Sequence, residues 1–221
     1  MEQSAIDISR IAAFVRQHTH DIRNHLNGLD LEAALLTELV TDPEAQEGVA
    51  RIRGQIRQMA TELRALSAKL SPPEPRPGPF KALELFLIWQ EQAAELGLDI
   101  EWQTSLGDEK INVDTVAVAD VLKELLVNAK QFTGTAGLRA LSELEGDRAR
   151  FELRENKKAA VDPTDWGKKP FSSTKRGGYG LGLWTAEQHI RANRGTIRRE
   201  FRQPGELLTV IHWPLHSQSP S

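Results

Sequence analysis

The chain has 221 residues, with 28 Lys and Arg against 31 Asp and Glu, a formal net charge of -3 and no cysteine. The missing cysteine excludes disulfides, thiolate metal sites and iron-sulfur clusters, and nothing marks an oxidising compartment. No segment approaches the ~18 apolar residues of a membrane span, the start lacks the pattern of a signal peptide, and the near-neutral charge argues against general nucleic-acid binding. We expect a cytoplasmic protein of one or two domains, with no membrane insertion and no nucleic-acid partner.

Two long amphipathic helices are predicted within residues 1–70. The apolar or small residues of the first helix follow alternating steps of four and three: Ile8, Ala12, Val15, Thr19, Ile22, Leu26, Leu29, Ala33, Leu36 and Val40. Thr41, Asp42 and Pro43 interrupt this pattern, and a second helix repeats the spacing from Ala45 to Leu70. Two helices with one apolar stripe each cannot enclose a core, so we predict a homodimer that closes into a four-helix bundle.

The predicted fold class is α+β, with an α/β sandwich after the hairpin. Residues 71–79, SPPEPRPGP, are too rich in proline for a helix and predict a linker. Residues 80–216 predict helices that cover a mostly antiparallel sheet, and residues 217–221 a tail. The helices are expected at 80–96, 114–132 and 181–192, and the strands at 100–106, 137–144, 149–155, 195–202 and 207–213. Residues 156–178 are polar and aperiodic, which predicts a long loop.

The outward face of the first helix carries His20, with Asn24 one turn later. The neighbouring Asp21 could hold one nitrogen of the imidazole and leave the other as a nucleophile. A surface His-Asp pair is more often structural than catalytic, so the pair alone does not establish a function. His18 and His25 lie nearby, but their spacing does not bring three histidines to one face, which disfavours a metal site.

Two motifs in the second domain could handle phosphate. Glu124 and Asn128 in KELLVNAK share a helix face and offer oxygen ligands to Mg2+, although an asparagine on a mostly buried helix is often only structural. A glycine-rich turn then precedes a helix, where backbone amides could approach an anion. Its glycines and neighbouring cations are Lys175, Arg176, Gly177, Gly178, Gly180 and Gly182.

In this order the motifs resemble the core of two-component sensor histidine kinases over nearly the whole chain. HDIRNHL (residues 20–26) resembles the family's H box and KELLVNAKQFT (123–133) its N box. GYGLGL (178–183) resembles its second glycine box, and PFSSTK (170–175) its phenylalanine and lid region. The resemblance implies a dimerisation and phosphotransfer domain at 1–70 and a Bergerat-type ATP-binding domain at 80–216.

The resemblance also implies roles for residues. His20 would be the phosphoacceptor, Asp21 its base, and Asn24 the residue that orients water when phospho-aspartate on a response-regulator receiver domain is hydrolysed. Glu124 would be catalytic and Asn128 the ligand of Mg2+. The residues expected to bind ATP and its metal are Asn128, Lys130, Glu155, Lys175, Gly178, Gly180 and Gly182.

One family motif is degenerate. The first glycine box, D-x-G-x-G in the family, falls on residues 155–159, where Glu155 could replace the aspartate that reads adenine. Lys157 and Ala159 stand at the glycine positions, and their side chains are expected to crowd the backbone and weaken ATP binding.

Two functions remain open from the sequence. The first is a histidine kinase that phosphorylates His20 from ATP and Mg2+ and passes the phosphoryl group to a response regulator, with phosphatase activity as a further expectation. The second is an ATP-independent histidine phosphotransferase or pseudokinase that shuttles phosphoryl groups between receiver domains. The N and second glycine boxes favour the first, and the degenerate box favours the second. Because the predicted helix begins within the first ten residues, a separate sensor protein is expected to supply the signal.

Overall fold

The computed structural model describes residues 8–134, 137–171, 180–202 and 205–216. The chain is α+β and divides into two compact units, Met1–Ser71 and Pro72–Ser221. Within the described ranges, no helix combines the length and the apolar character that crossing a membrane requires. The last five residues of the chain, predicted as a tail, lie outside the described residues.

The first unit is the predicted pair of helices, α1 (Ile8–Leu39) and α2 (Pro43–Leu70). Asp42 caps α2, because its carboxylate accepts a hydrogen bond of 2.8 Å from the backbone amide of Ala45. Proline at the first position of α2 has no amide hydrogen to leave unpaired there. The turn between the two helices therefore lies where the periodic pattern is interrupted.

The apolar stripe of α1 has two sides. Four alternate positions of the predicted seam are buried within the hairpin, namely Ala12, Thr19, Leu26 and Ala33. The intervening positions Leu29 and Leu36 are each 50% exposed, and on α2 Ile52 is 53% and Met59 50% exposed. One side of the stripe thus packs on the other helix, and the second side remains accessible in a single chain.

The second unit is a mixed sheet with helices. Its elements are β1 (Gly78–Lys81), α3 (Ala82–Glu95), β2 (Ile100–Thr104), β3 (Lys110–Val113), α4 (Thr115–Phe132), β4 (Leu138–Glu145), β5 (Arg148–Asn156), α5 (Gly182–Ala192), β6 (Thr196–Arg202) and β7 (Glu206–Pro214). Five strands form one sheet in the order β2-β4-β5-β7-β6, in which β2 is parallel to β4 and the other pairs are antiparallel.

The core of this unit lies between the helices and one face of the sheet. Phe86 of α3 meets Trp102 of β2 at a ring-centroid distance of 5.4 Å, and Trp89 of α3 meets Phe151 of β5 at 6.1 Å. Along β5, Phe151, Leu153 and Glu155 are all buried on the helix side. The inward position at the end of β5 therefore carries a carboxylate instead of an apolar side chain.

Strands β1 and β3 correct the sequence prediction. They form a separate two-stranded antiparallel ribbon, with Phe80 opposite Ile111. Gly78 and Pro79, predicted as linker, belong to β1, and α3 begins at Ala82 instead of residue 80. Strands of four residues have too few alternations to be recognised without their pairing partner.

Candidate functional site

His20 lies on the exposed side of α1, and its side chain is 54% exposed. Its Nδ1 atom is 3.4 Å from the Asp21 Oδ1 and 3.4 Å from the Asn24 Nδ2. Gln17, one turn earlier, donates a hydrogen bond of 3.1 Å to the same Asp21 oxygen. The two polar residues named by the motif therefore meet one nitrogen of the imidazole.

Each of the two contacts of Nδ1 suits a different tautomer of His20. When Nδ1 carries the proton it donates to Asp21, and Nε2 keeps its lone pair. When Nδ1 is unprotonated it accepts from Asn24, and the proton lies on Nε2. The Asp21 contact is thus the one that makes Nε2 a nucleophile.

A second group of motif residues comes together where α4 meets α5. The Asn128 Nδ2 donates 2.8 Å and 2.9 Å hydrogen bonds to the Glu124 backbone oxygen and Oε1. Gly182, the first residue of α5, lies so close that a Cβ atom there would be 1.9 Å from the Glu124 Oε1. The N box and the second glycine box therefore share one site, although Glu124 and Gly182 are 58 positions apart in the sequence.

This group fits a magnesium ion in part. Both hydrogen bonds of Asn128 use its amide nitrogen, which leaves the amide oxygen as the group that could bind the ion. The Glu124 carboxylate beside it is a hard oxygen ligand of the kind that Mg2+ prefers. Gly180 has a positive φ of 63°, which favours glycine at the turn that leads into α5.

Lys130 does not join this group, contrary to the sequence prediction. Two residues on a helix differ by about 200° in direction, so Lys130 and Asn128 project from nearly opposite sides of α4. The Lys130 ammonium donates a 2.6 Å hydrogen bond to the backbone oxygen of Leu96, after the C-terminal end of α3. Its role in the structure is to hold α3 to α4. Lys175 and Gly178, also predicted to bind the nucleotide, lie outside the described residues.

Glu155 lies at the end of β5 in a closed polar cluster with Thr133 and Lys157. The Thr133 hydroxyl donates a 2.8 Å hydrogen bond to the Glu155 Oε2, and the Lys157 ammonium donates to the same oxygen at 2.7 Å. The ammonium also donates to the Thr133 hydroxyl at 2.6 Å. The side chains of Glu155 and Lys157 are 8% and 6% exposed, so the carboxylate predicted to read adenine is bound to a buried cation of the same chain.

The orientation of Lys157 follows from the strand. Side chains two residues apart in a strand point to the same face, so Lys157 follows Glu155 toward the helices. The backbone amide of Lys157 donates a 2.7 Å hydrogen bond to Gly205, which extends the ladder between β5 and β7 by one residue. Lys157 was expected to crowd the backbone at a glycine position of the family motif. In the structure, its side chain instead forms an ion pair with Glu155.

A second buried ion pair lies between α5 and β6. The Arg199 Nη1 lies 3.6 Å from the Glu187 Oε2, and the side chains are 6% and 8% exposed. Arg199 also donates a 3.0 Å hydrogen bond to the Trp166 backbone oxygen. Burial lowers the pKa of Arg199, while the negative charges of Glu187 and Glu155 oppose this shift. The cation therefore ties the loop after β5 to β6 at Trp166.

The sequence contained signals for some of the residues that the motif analysis missed. Thr133 closes the N-box segment, at the C-terminal cap of α4. Arg199 lies two residues from both Ile197 and Phe201 along β6, so the three side chains share one face. The two apolar neighbours indicate that this is the inward face. Its acidic partner Glu187 is on another element, so the sequence offered no sign that the two would pair.

Comparisons with known proteins support the resemblance that these motifs indicate. The chain is 26% identical over 189 residues to the signal transduction histidine-protein kinase AtoS of Escherichia coli strain K12, a match that covers 81% of this chain and 31% of AtoS. The chain thus spans about a third of the length of this curated relative. No family model matches it.

Solved structures of other proteins share the fold. Full-length ShkA, solved in complex with AMPPNP, aligns with a TM-score of 0.62 and 20% identity over 94% of this chain and 47% of its own. The Acinetobacter baumannii histidine kinase AdeS aligns with a TM-score of 0.53 and 18% identity over 90% of this chain and 98% of its own. The predicted combination of a helical pair and a Bergerat-type sandwich is confirmed, as is the resemblance to the histidine kinase core.

Proposed function

We propose that this chain is a histidine kinase-like phosphotransfer protein of a two-component system, with His20 as the phosphoacceptor and an aspartate of a response-regulator receiver domain as the recipient. The observation that carries this proposal is the exposed imidazole of His20 with Asp21 at its Nδ1 atom. An imidazole held in this way presents a nucleophilic Nε2 to an incoming phosphoryl group. The similarity to AtoS, itself named a histidine kinase, supports the same assignment.

The chemistry consists of two phosphoryl transfers. In the first, the His20 Nε2 forms a bond to the phosphorus while the bond from phosphorus to the leaving oxygen of the donor breaks. The Asp21 carboxylate accepts a hydrogen bond from the Nδ1–H group. Its negative charge stabilises the positive charge that the ring gains. In the second, a carboxylate oxygen of the receiver attacks the phosphorus, the N–P bond breaks, and neutral His20 is restored. In the separate phosphatase reaction, the Asn24 amide would orient a water molecule. The water oxygen attacks the phosphorus of the receiver's phospho-aspartate, and the bond from phosphorus to the aspartate oxygen breaks, which releases phosphate.

The first candidate donor is ATP. Its support is the convergence of Glu124, Asn128 and Gly182 at one place, where Asn128 and Glu124 would hold Mg2+ and the amides at the start of α5 would meet the phosphates. The ion would neutralise charge on the transferred phosphoryl group. ShkA, which shares the fold, was solved with AMPPNP.

The second candidate donor is a phosphorylated receiver domain, which makes the protein an ATP-independent phosphotransferase. The buried pair of Lys157 and Glu155 favours this alternative, because Lys157 neutralises the carboxylate that an adenine base would need and occupies one of its oxygens. Transfer from a receiver needs the helical hairpin alone, so the second unit would then serve as a support for the partner.

The proposal includes a homodimer. The accessible side of the helical stripe, with Leu29 and Leu36 on α1 and Ile52 and Met59 on α2, is about half exposed in the single chain. Apolar residues repeating at steps of seven along two helices favour burial against a second copy of the same hairpin.

The test of the proposal is labelling of His20. Full-length protein would be incubated with radiolabelled MgATP and, separately, with phosphorylated receiver domains from the same genome. We expect an acid-labile, alkali-stable label that His20→Ala abolishes and His18→Ala retains, because the His18 ring stacks on Phe14 at a centroid distance of 6.0 Å and does not contact Asp21 in the described structure. Label that persists in the His20 variant would contradict the proposal.

A second variant identifies the donor. Asn128→Ala should abolish labelling by ATP and leave transfer from a receiver intact, since it removes the oxygen that would bind Mg2+. Gln103→Ala, which removes an exposed amide on β2, is the matched control. If wild-type protein is labelled by a receiver and never by ATP, the phosphotransferase is the correct function.

A further inference from the structure

We propose that Lys157 is a built-in cation that takes the place of a nucleotide base at Glu155, so that this domain does not distinguish adenine from guanine nucleotides. A nucleotide would then be held through its phosphates and metal at Glu124, Asn128 and the start of α5. This inference rests on the proposed function in placing the base of the nucleotide at Glu155.

The first support is that the Glu155 carboxylate already has a cationic partner. One of its oxygens accepts hydrogen bonds from both the Thr133 hydroxyl and the Lys157 ammonium, at 2.8 Å and 2.7 Å. A base that donated to the same oxygen would have to displace an ammonium whose side chain is 6% exposed. Displacing one partner of a buried ion pair leaves an uncompensated charge, which is strongly unfavourable.

The second support is that Lys157 is fixed by the sheet. Its amide donates to the Gly205 backbone oxygen at 2.7 Å, and a Cβ atom on Gly205 would lie 2.9 Å from the Lys157 oxygen. Gly205 therefore packs against the backbone of Lys157 on this side. The Lys157 side chain points to the same face as Glu155 because the strand alternation continues to this residue. No rearrangement of a loop is needed to place its ammonium beside Glu155.

The chemistry of the bases gives the expected specificity. Adenine presents an amino donor where guanine presents a carbonyl acceptor. A free carboxylate would attract the first and repel the second, which would favour ATP over GTP. The Lys157 ammonium uses the carboxylate as its own acceptor and neutralises its charge. It therefore weakens both the attraction to adenine and the repulsion of guanine.

The test is calorimetry of MgATP and MgGTP with the full-length chain. For the wild type we expect dissociation constants that agree within about threefold, a difference below that of one hydrogen bond to a charged group. Lys157→Ala frees the carboxylate, and its preference for ATP over GTP should rise by about tenfold or more. Lys158→Ala, an exposed neighbour, is the control and should leave the ratio unchanged.

Folding of the variants is checked by thermal unfolding. Arg199 lies close enough to Glu155 for the two charges to interact, so Glu155 keeps a nearby cation in the alanine variant. Lys157→Gln, which has a longer side chain than alanine and an uncharged amide donor, replaces the alanine variant if that protein does not fold. Binding of ATP by the folded variant alone, with no measurable binding by the wild type, would also support the inference.

Three results would overturn it. They are a wild type that prefers ATP by more than about tenfold, a folded variant with the wild-type ratio, and a folded variant that binds neither nucleotide. His20 labelling by a phosphorylated receiver is recorded in the same preparations. Loss of labelling would refute the proposed function, whereas a clear ATP preference in a labelled wild type would refute this inference alone.

Discussion

Gly182→Ala tests the contact between α4 and α5. The new Cβ would lie 1.9 Å from the Glu124 Oε1 and 2.5 Å from its carboxyl carbon. To reach an ordinary van der Waals separation, the carboxylate must move by more than about 1.5 Å. This movement breaks its 2.9 Å hydrogen bond with the Asn128 amide.

The effect on stability should be small. Loss of a hydrogen bond to a charged group destabilises by about 1.5 to 3 kcal/mol. Alanine in a helix is favoured over glycine by up to about 1 kcal/mol, and the displaced Glu124 side chain is only partly buried. We expect a net loss of about 1 kcal/mol, which for a protein of this size lowers Tm by roughly 2 to 4 °C.

The effect on function should be larger than the effect on stability. If Glu124 positions Asn128 as a ligand of Mg2+, its displacement should weaken Mg2+-dependent ATP binding and His20 labelling by about 10- to 100-fold. The measurements are calorimetry with MgATP, initial labelling rates and thermal unfolding of the same samples. Gly54→Ala is the control, because no heavy atom lies within 4 Å of the new Cβ. Wild-type binding and labelling in a folded Gly182→Ala protein would refute the magnesium site.

Leu36→Asp should dissociate the dimer without unfolding the hairpin, since Leu36 is half exposed in the single chain. Leu31→Asp, at a 65% exposed position outside the seam, should leave the dimer intact. An unchanged mass of the Leu36 variant in light scattering would contradict the four-helix bundle. Asp114 caps α4, and backbone amides lower its pKa, so its stabilisation is full above about pH 4 and is lost as the pH falls through the lowered pKa. Asp114→Asn should flatten this acid-side slope in urea unfolding curves, and an unchanged slope would exclude Asp114 as its source. Arg199→Met should destabilise the second unit by about 1 to 3 kcal/mol, and adding Glu187→Gln should recover part of that loss in a double-mutant cycle.

The sequence by itself determined the features that depend on local periodicity. The steps of four and three predicted both long helices and the exposed face that carries His20, because helical geometry relates residues within one or two turns. The contact of Asp21 and Asn24 with His20 is of the same kind, since the three residues lie within five positions. The strands of the five-stranded sheet were predicted for the same reason, from alternation along each strand.

Only the tertiary structure decided which side chains share a site. The placement of Gly182 against Glu124 and of Thr133 against Glu155 joins elements far apart in the chain, through contacts that no local pattern encodes. The same packing turned Lys130 toward α3 and away from the site. Lys157 depends on both the local pattern and the tertiary structure. Strand alternation sets the direction of its side chain. Its pairing with Glu155 follows from burial among neighbouring elements, because a buried ammonium requires an acceptor close by.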